Sequence, residues 1–471
     1  MSLTRDFADH LQALAAQPLD APARRAAIDL FVDGLAVAAL GSAQTGPRLL
    51  AGLALEGASC PEATLIGHGA RASAAEAARV NGAAMHVLDY EPMWNPANHA
   101  LSPTLPALLA LAEREGRTPD GRHSHALGLR LLTALAAGIE AQARLRLASG
   151  QFEPGSLVFH PPGAVGPIGS AAACAIFLGL DQMQLVHAIG IAASRAGSIL
   201  ANAGSMTKAL HCGQAAASGL EAALLARRGF TADEDALAGP RGFGAAFFRD
   251  TFEPGALTAL RPTWHIVEPG PAFKLYPSQY GTHFVIAAAR DAYARLPAHA
   301  RIETVRIVCP PMPYVDRPRP VSGLAGKFSF QYTAAVSLLD GTVTVDSFTD
   351  QRRFAPDLEA LLPRITVAPD PAREGRFDRM VLDLTVRCAD GTVVETRCDG
   401  PPGIWGRPCA PGQLRTKASD CLTAAFGSGE AQQILGSAYA VDEFGHTDLA
   451  VLMARMSGPC RDALAGAGAG K

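Results

Sequence analysis

Seven segments dominate the first 260 residues, and they limit the fold more than any other feature. Pro22 to Gly41 carries apolar residues on a helical period, with Pro22 suited to a first turn. Residues 71–88, 103–114, 127–145, 164–179, 183–200 and 209–228 are built alike, rich in Ala, Leu and Gly and with few charges. Small side chains let helix axes approach closely and bury more than one face. The pattern therefore predicts a compact bundle rather than a coiled coil.

The character changes near Pro262. Beta-branched alternation at Thr304 to Val308, Gly341 to Val345 and Arg364 to Val367 predicts strands. Met380 to Val394 predicts a hairpin turning at Asp390-Gly391. Residues 310–320 and 400–411 are rich in proline and read as loops. Helical pattern returns after about residue 414. The expected fold is mainly α with an α+β second domain. A large helical domain is built from residues 1–265 and 415–471, and a smaller inserted α+β lid domain spans 266–414. The Gly/Ala tail from Ala463 reads as frayed.

A chain of 471 residues has room for more than one core. With 48% hydrophobic and 18% charged residues it reads as an ordinary globular protein. A net charge of −3 gives no basic footprint for nucleic acid or anionic membrane. No apolar stretch reaches spanning length, and the N-terminus lacks a signal-peptide core, so a cytoplasmic location is expected. The nine cysteines contain no C-x-x-C pair. That disfavours a disulfide framework, a zinc ribbon or an iron–sulfur cluster. The expectation is no cofactor and no metal.

Lysine usage is more pointed. Among 41 basic residues only Lys208, Lys274, Lys327, Lys417 and Lys471 are lysines. Where arginine is the default, a retained lysine suggests a need for a compact ammonium.

Ala63 to Ala72 resembles a strand and glycine turn, with Asp89 at about the distance a dinucleotide fingerprint requires. But the third glycine is missing and no βαβ alternation surrounds it, so a structural turn is the better reading. Four other stretches carry chemistry. DYEPMWNPANH, Asp89 to His99, places acid, base and tryptophan in a proline-bound loop. Phe159-His160-Pro161 precedes a glycine-rich helix entry. Gly204 to His211 sets Lys208 at a helix start, where the dipole favours anions. Phe273 to Pro277 holds Lys274. Taken singly, each has a plainer reading: a capping histidine, a solvated lysine, or a snorkelling one. Together they suit proton transfer beside a carboxylate, with the lysines anchoring a substrate of two or more carboxylates.

At these residues the chain resembles the MmgE/PrpD family, which includes 2-methylcitrate dehydratase, cis-aconitate decarboxylase and iminodisuccinate epimerase. The matching text includes Val80-Asn81-Gly82-Ala83, Ser205-Met206-Thr207-Lys208, Lys274-Leu275-Tyr276-Pro277 and Tyr314-Val315-Asp316-Arg317-Pro318. The resemblance implies cofactor-independent catalysis, a homodimer and a cleft between domains. It places Asp89, His99, His160, Lys208, Lys274 and Tyr314 in the active site. The family's Asp-x-Asp-Asp-Thr is here Asp89-Tyr90-Glu91-Pro92-Met93, so Met93 replaces a hydroxyl that could bond a substrate.

The leading expectation is a lyase on a small di- or tricarboxylate, most directly a dehydratase. A decarboxylase or epimerase using the same proton transfer is one alternative, and a non-catalytic carboxylate-binding paralogue is another. His99 is expected to be the general acid, oriented by Asp89. His160 is placed beside the reacting carbon.

Overall fold

The computed structural model describes residues 2–57, 59–116, 126–298 and 300–460. The chain opens with α1 (Leu3–Ala15), α2 (Ala21–Ser42) and α3 (Thr45–Glu56). A short hairpin of β1 (Ala63–Leu65) and β2 (Ala70–Ala72) leads into α4 (Ala74–Val87), α5 (Leu101–Glu115) and α6 (Leu127–Ala148). Then come α7 (Pro161–Ala164), α8 (Gly166–Leu178), α9 (Gln182–Ala193), α10 (Thr207–Arg227) and α11 (Phe243–Phe247). Local chemistry sets the starts. Asp20 caps α2 by accepting from Ala23 N, with a proline in the first turn. Asp181 and Gln184 form a capping box on α9.

The sheet follows α12 (Tyr280–Arg295). It comprises β3 (Ile302–Cys309), β4 (Ile365–Pro369), β5 (Leu382–Cys388) and β6 (Val393–Cys398), in the order β4-β3-β5-β6. β3 pairs parallel with β4 and antiparallel with β5. The β3–β4 crossover carries α13 (Gly323–Gly326), α14 (Phe330–Asp340), α15 (Asp350–Arg353) and α16 (Pro356–Leu361). Burial alternates along β5 and β6, so one face of the sheet covers a core. The chain ends in α17 (Gln413–Phe426), α18 (Ser428–Tyr439) and α19 (His446–Met456). The fold is mainly α with a smaller α+β part.

Two hydrophobic clusters result. One joins residues from Phe7 to Ile266 with Ala418 to Met456. The other joins Ala272 to Ile404 and includes Met93 of the Asp89–His99 loop.

Several local expectations change. The Ala63–Ala72 segment is an antiparallel hairpin, with Gly67 and Gly69 at positive φ, and not a dinucleotide motif. Helix 183–200 stops at Ala193, and the chain runs on through loop to His160's neighbourhood. Gly341 to Val345 is no strand: Gly341, at φ 68°, terminates α14, and Val343 enters the second core instead of a ladder. The Asp390-Gly391 turn is three residues wide rather than two. Cys388 N donates to Thr392 O and Gly391 N to Cys388 O, with Gly391 alone in the left-handed region. The tail from Ala463 and Lys471 lie outside the described residues. Among the described residues no single helix is long and apolar enough to cross a membrane. Cys174, Cys212, Cys309, Cys388, Cys398 and Cys421 are buried.

Candidate active site

The site begins where α4 crosses α10. A Cβ on Gly213 would lie 2.1 Å from the Arg79 carbonyl oxygen, and one on Gly82 would lie 2.9 Å from Gly213 Cα. Only glycines permit that approach. It sets the end of α4 beside the start of α10. α4 closes at Leu88, and Asp89 follows at φ 51°, its N–H bonded to His86 O at 2.8 Å. The loop beyond is pinned to the second core. Met93 N donates to Ala272 O at 3.0 Å, Ala272 N donates back at 2.6 Å, and Trp94 is buried.

Asp89 lies between two ammonium groups. Lys208, in the first turn of α10, donates to Oδ2 at 2.6 Å. Lys274 donates to Oδ1, to the Asp89 carbonyl at 2.9 Å and to Ser278 O at 3.2 Å. His99 Nε2 stands 3.6 Å from Asp89 Oδ1, while its Nδ1 is 3.1 Å from Glu91 Oε1. Glu91, fully buried, also receives Ser102 Oγ at 2.6 Å and pairs with His86 Nδ1. His160 lies 3.2 Å from His211, Nδ1 to Nδ1. Its ring centroid is 5.3 Å from that of His86 and 6.3 Å from that of His99.

Asp89, Met93, His99, His160, Lys208 and Tyr314 all line one cavity of about 600 Å³. Met93, Tyr280 and Phe377 of the second core line it, with Gln279, Phe328 and residues between Pro154 and Ala203 supplying the remaining wall. Lys274 does not reach that wall. It is fully buried behind Asp89, so it acts on a ligand only through that carboxylate.

Burial governs the electrostatics. It would raise the Asp89 carboxyl, but Lys208 and Lys274 hold it well below the usual range. Burial likewise opposes ionised Glu91, and His86 and His99 outweigh it. His99 is lowered by burial despite Glu91, His160 is lowered well below its normal value by burial and Lys208, and His86 falls to about 4. A carboxylate partner by itself would keep His99 protonated; desolvation of the ring is the larger effect. Two carboxylates stand against His99: Asp89, bonded to both lysines, is on the Nε2 side, and Glu91 is on the Nδ1 side.

The scarce lysines converge. Besides Lys208 and Lys274, Lys327 donates to Leu88 O at 3.1 Å and Lys417 to Tyr90 O at 2.8 Å. Every lysine in the described residues thus contacts residues 88–91. Lys417 also lies 2.8 Å from Asp33, tying α17 to α2, although burial still pushes Asp33 up. Lysine rarity was the signal for Lys327 and Lys417. Glu91 and His211 had none beyond their place in the same stretches, and His86 and Ser102 lie outside them.

Among the described residues two donor groups have ligand atoms within 4.8 Å of one another: His86, His160 and Cys212, and His86, Glu91 and His99. Nitrogen and sulfur donors suit zinc. Here, however, Glu91 already holds two imidazoles and a hydroxyl, and the Lys208 ammonium stands near His86 and His160. A cation entering would have to displace these pairings.

The MmgE/PrpD N-terminal domain matches residues 5–254, and the MmgE/PrpD C-terminal domain matches residues 276–441. Cis-aconitate decarboxylase of Mus musculus is 37% identical over 349 residues, covering 72% of this chain and 70% of the relative. The Homo sapiens enzyme of that name is 36% identical over 348 residues, covering 72% and 71%. The cis-aconitate decarboxylase-like protein oryM of Aspergillus oryzae is 24% identical over 485 residues, spanning 97% of this chain and 98% of its own. Two domain matches in order, and relatives at this identity over most of the chain, establish that it belongs to the MmgE/PrpD family.

Proposed function

We propose that the protein is a lyase that removes carbon dioxide from a small polycarboxylate related to cis-aconitate. The observation that carries this reading is the cavity floor: an acid clamped by Lys208 and Lys274, with the His99 and His160 imidazoles beside it. Lys208 and Arg317 meet substrate carboxylates, and Lys274 keeps Asp89 ionised and fixed. Departure of carbon dioxide leaves its bonding electron pair on the carbon framework, and a proton must take up that pair. His99 in its protonated form, with Nδ1–H facing Glu91, is the group proposed to deliver it from Nε2–H, after which the ring is neutral and takes up a proton from water for the next turnover. His160 lines the same cavity as acid, base or carboxylate contact. The names of the relatives support decarboxylation, and the apolar wall opposite favours it, because a carboxylate leaves as a neutral gas more readily where water is excluded.

Dehydration is the second reading. Tyr314 presents a phenol to the cavity that could hold a departing hydroxyl. One experiment separates the two: incubate the protein with cis-aconitate, citrate and 2-methylcitrate, and measure carbon dioxide by manometry and the organic products by proton NMR, with and without chelator. Carbon dioxide release that survives chelation is expected. Water loss or gain without carbon dioxide selects the second reading, and loss of activity on chelation overturns chemistry by side chains alone. His99→Asn should lower turnover by about 100- to 10,000-fold while leaving the melting temperature within a few degrees.

A further inference from the structure

We infer that the substrate carries, besides its carboxylates, an apolar arm of several carbons lying along Met93, Leu157, Val158, Ile199, Leu200 and Phe377. This deepens the lyase reading, on which it rests only for placing the carboxylates at the cavity floor.

Size is the first argument. A space of about 600 Å³ is that of a drug-sized ligand, not of a compact acid of six carbons. Charge is the second. Lys208 and Lys274 both bond Asp89, so one of their two charges is already matched. Arg317 is the other strong cation on the cavity wall. Two surplus positive charges match two carboxylates. The wall itself is the third argument. Val158 and Ile199 line the cavity and are 67% and 54% exposed overall, and Leu157 and Leu200 line it beside them. Apolar side chains contiguous with a charged floor make an amphipathic slot, in which a carboxylate head and an alkyl arm are matched at once. Met93 adds a flexible thioether that adapts to an alkyl chain.

The test separates binding from turnover. Alkylsuccinates, from methyl to hexyl, are titrated into the full-length protein by calorimetry. 2-Alkyl-cis-aconitates of the same lengths are assayed for carbon dioxide release. Affinity should rise about fourfold for each methylene that reaches the wall. Ile199→Asp, at a position exposed enough to spare the fold, should reduce that gain to less than twofold. Affinity that is flat or falls with chain length, or a gain that Ile199→Asp leaves intact, overturns the arm. If affinity climbs with length but no acid is turned over, the lyase reading fails and the arm stands. If cis-aconitate is turned over while affinity ignores chain length, the arm fails and the lyase reading stands.

Discussion

Asp89 occupies a backbone position usually given to glycine, the left-handed residue just past a helix end. Aspartate tolerates it better than most residues. Here the position also aims a carboxylate at two lysines, which glycine could not do. Glu91 is the less obvious partner. With Oε1 on His99 Nδ1 it should hold the ring so that Nε2 faces Asp89 and the cavity. Glu91→Gln keeps the shape and removes the charge. Because Glu91 raises the His99 pKa against burial, its loss lowers that pKa further. The alkaline limb of kcat should therefore move to lower pH and kcat should fall tenfold or more, with KM little changed and Glu91→Asp partly restoring the profile. An unchanged profile with only a lower melting temperature would reduce Glu91 to a structural role. Lys327 gives a stability prediction. Burial lowers it from 10.5 to about 7. Between those values the unfolded chain binds the proton more than the folded one, so the penalty for burying Lys327 is full below pH 7 and fades towards pH 10.5. Denaturant melts of Lys327→Met should show a stability gain over wild type that is larger at pH 6.5 than at pH 10. A gain independent of pH would mean that packing, not charge, is what changed.

At the scale of elements, the helix period was readable because core-facing positions repeat locally, and α2, α4, α5, α6 and α10 lie within a few residues of expectation. The failures share a cause. Gly341 to Val345 has strand-like residues but no partner strand within reach, and a ladder needs one. The 183–200 pattern runs past Ala193 because the apolar residues that follow serve the cavity wall, not a helix face. The crossing of α4 and α10 carries the element-scale prediction. Gly213→Ala puts a methyl against the Arg79 carbonyl, a backbone atom that cannot swing aside. Overpacking of this kind costs about 1–3 kcal/mol. The variant should melt several degrees early. Turnover of its folded fraction should also fall, since the helices that separate carry Asp89's loop and Lys208. Retained melting temperature and full activity would show that the crossing has slack.

For the whole molecule, we propose that residues 266–414 act as a lid over the helical part, with hinges near 262–270 and 411–416. The cavity takes walls from the second hydrophobic cluster and from residues between Pro154 and Ala203 of the helical part, and closing it would exclude water from the proton transfer. Small-angle scattering should show a smaller radius of gyration with butylsuccinate than without. The same data, read for mass, test the homodimer we also propose. No compaction at saturating ligand argues for a preformed cleft, and a mass of one chain removes the dimer.

The sequence by itself determined the class of fold and the chemistry available. Apolar period separates helix from strand within a few residues of chain, and the scarcity of lysine marks positions where a compact cation is needed. Which acid meets which base was decided only in three dimensions. Asp89 and Glu91 are two residues apart and chemically alike, yet one turns to Lys208 and Lys274 and the other to His86 and His99. That choice depends on the left-handed turn after α4, on the glycine contact that draws α10 close, and on where Lys274 arrives from a different core. Each is set by packing between segments far apart in the chain, and local pattern carries no record of it.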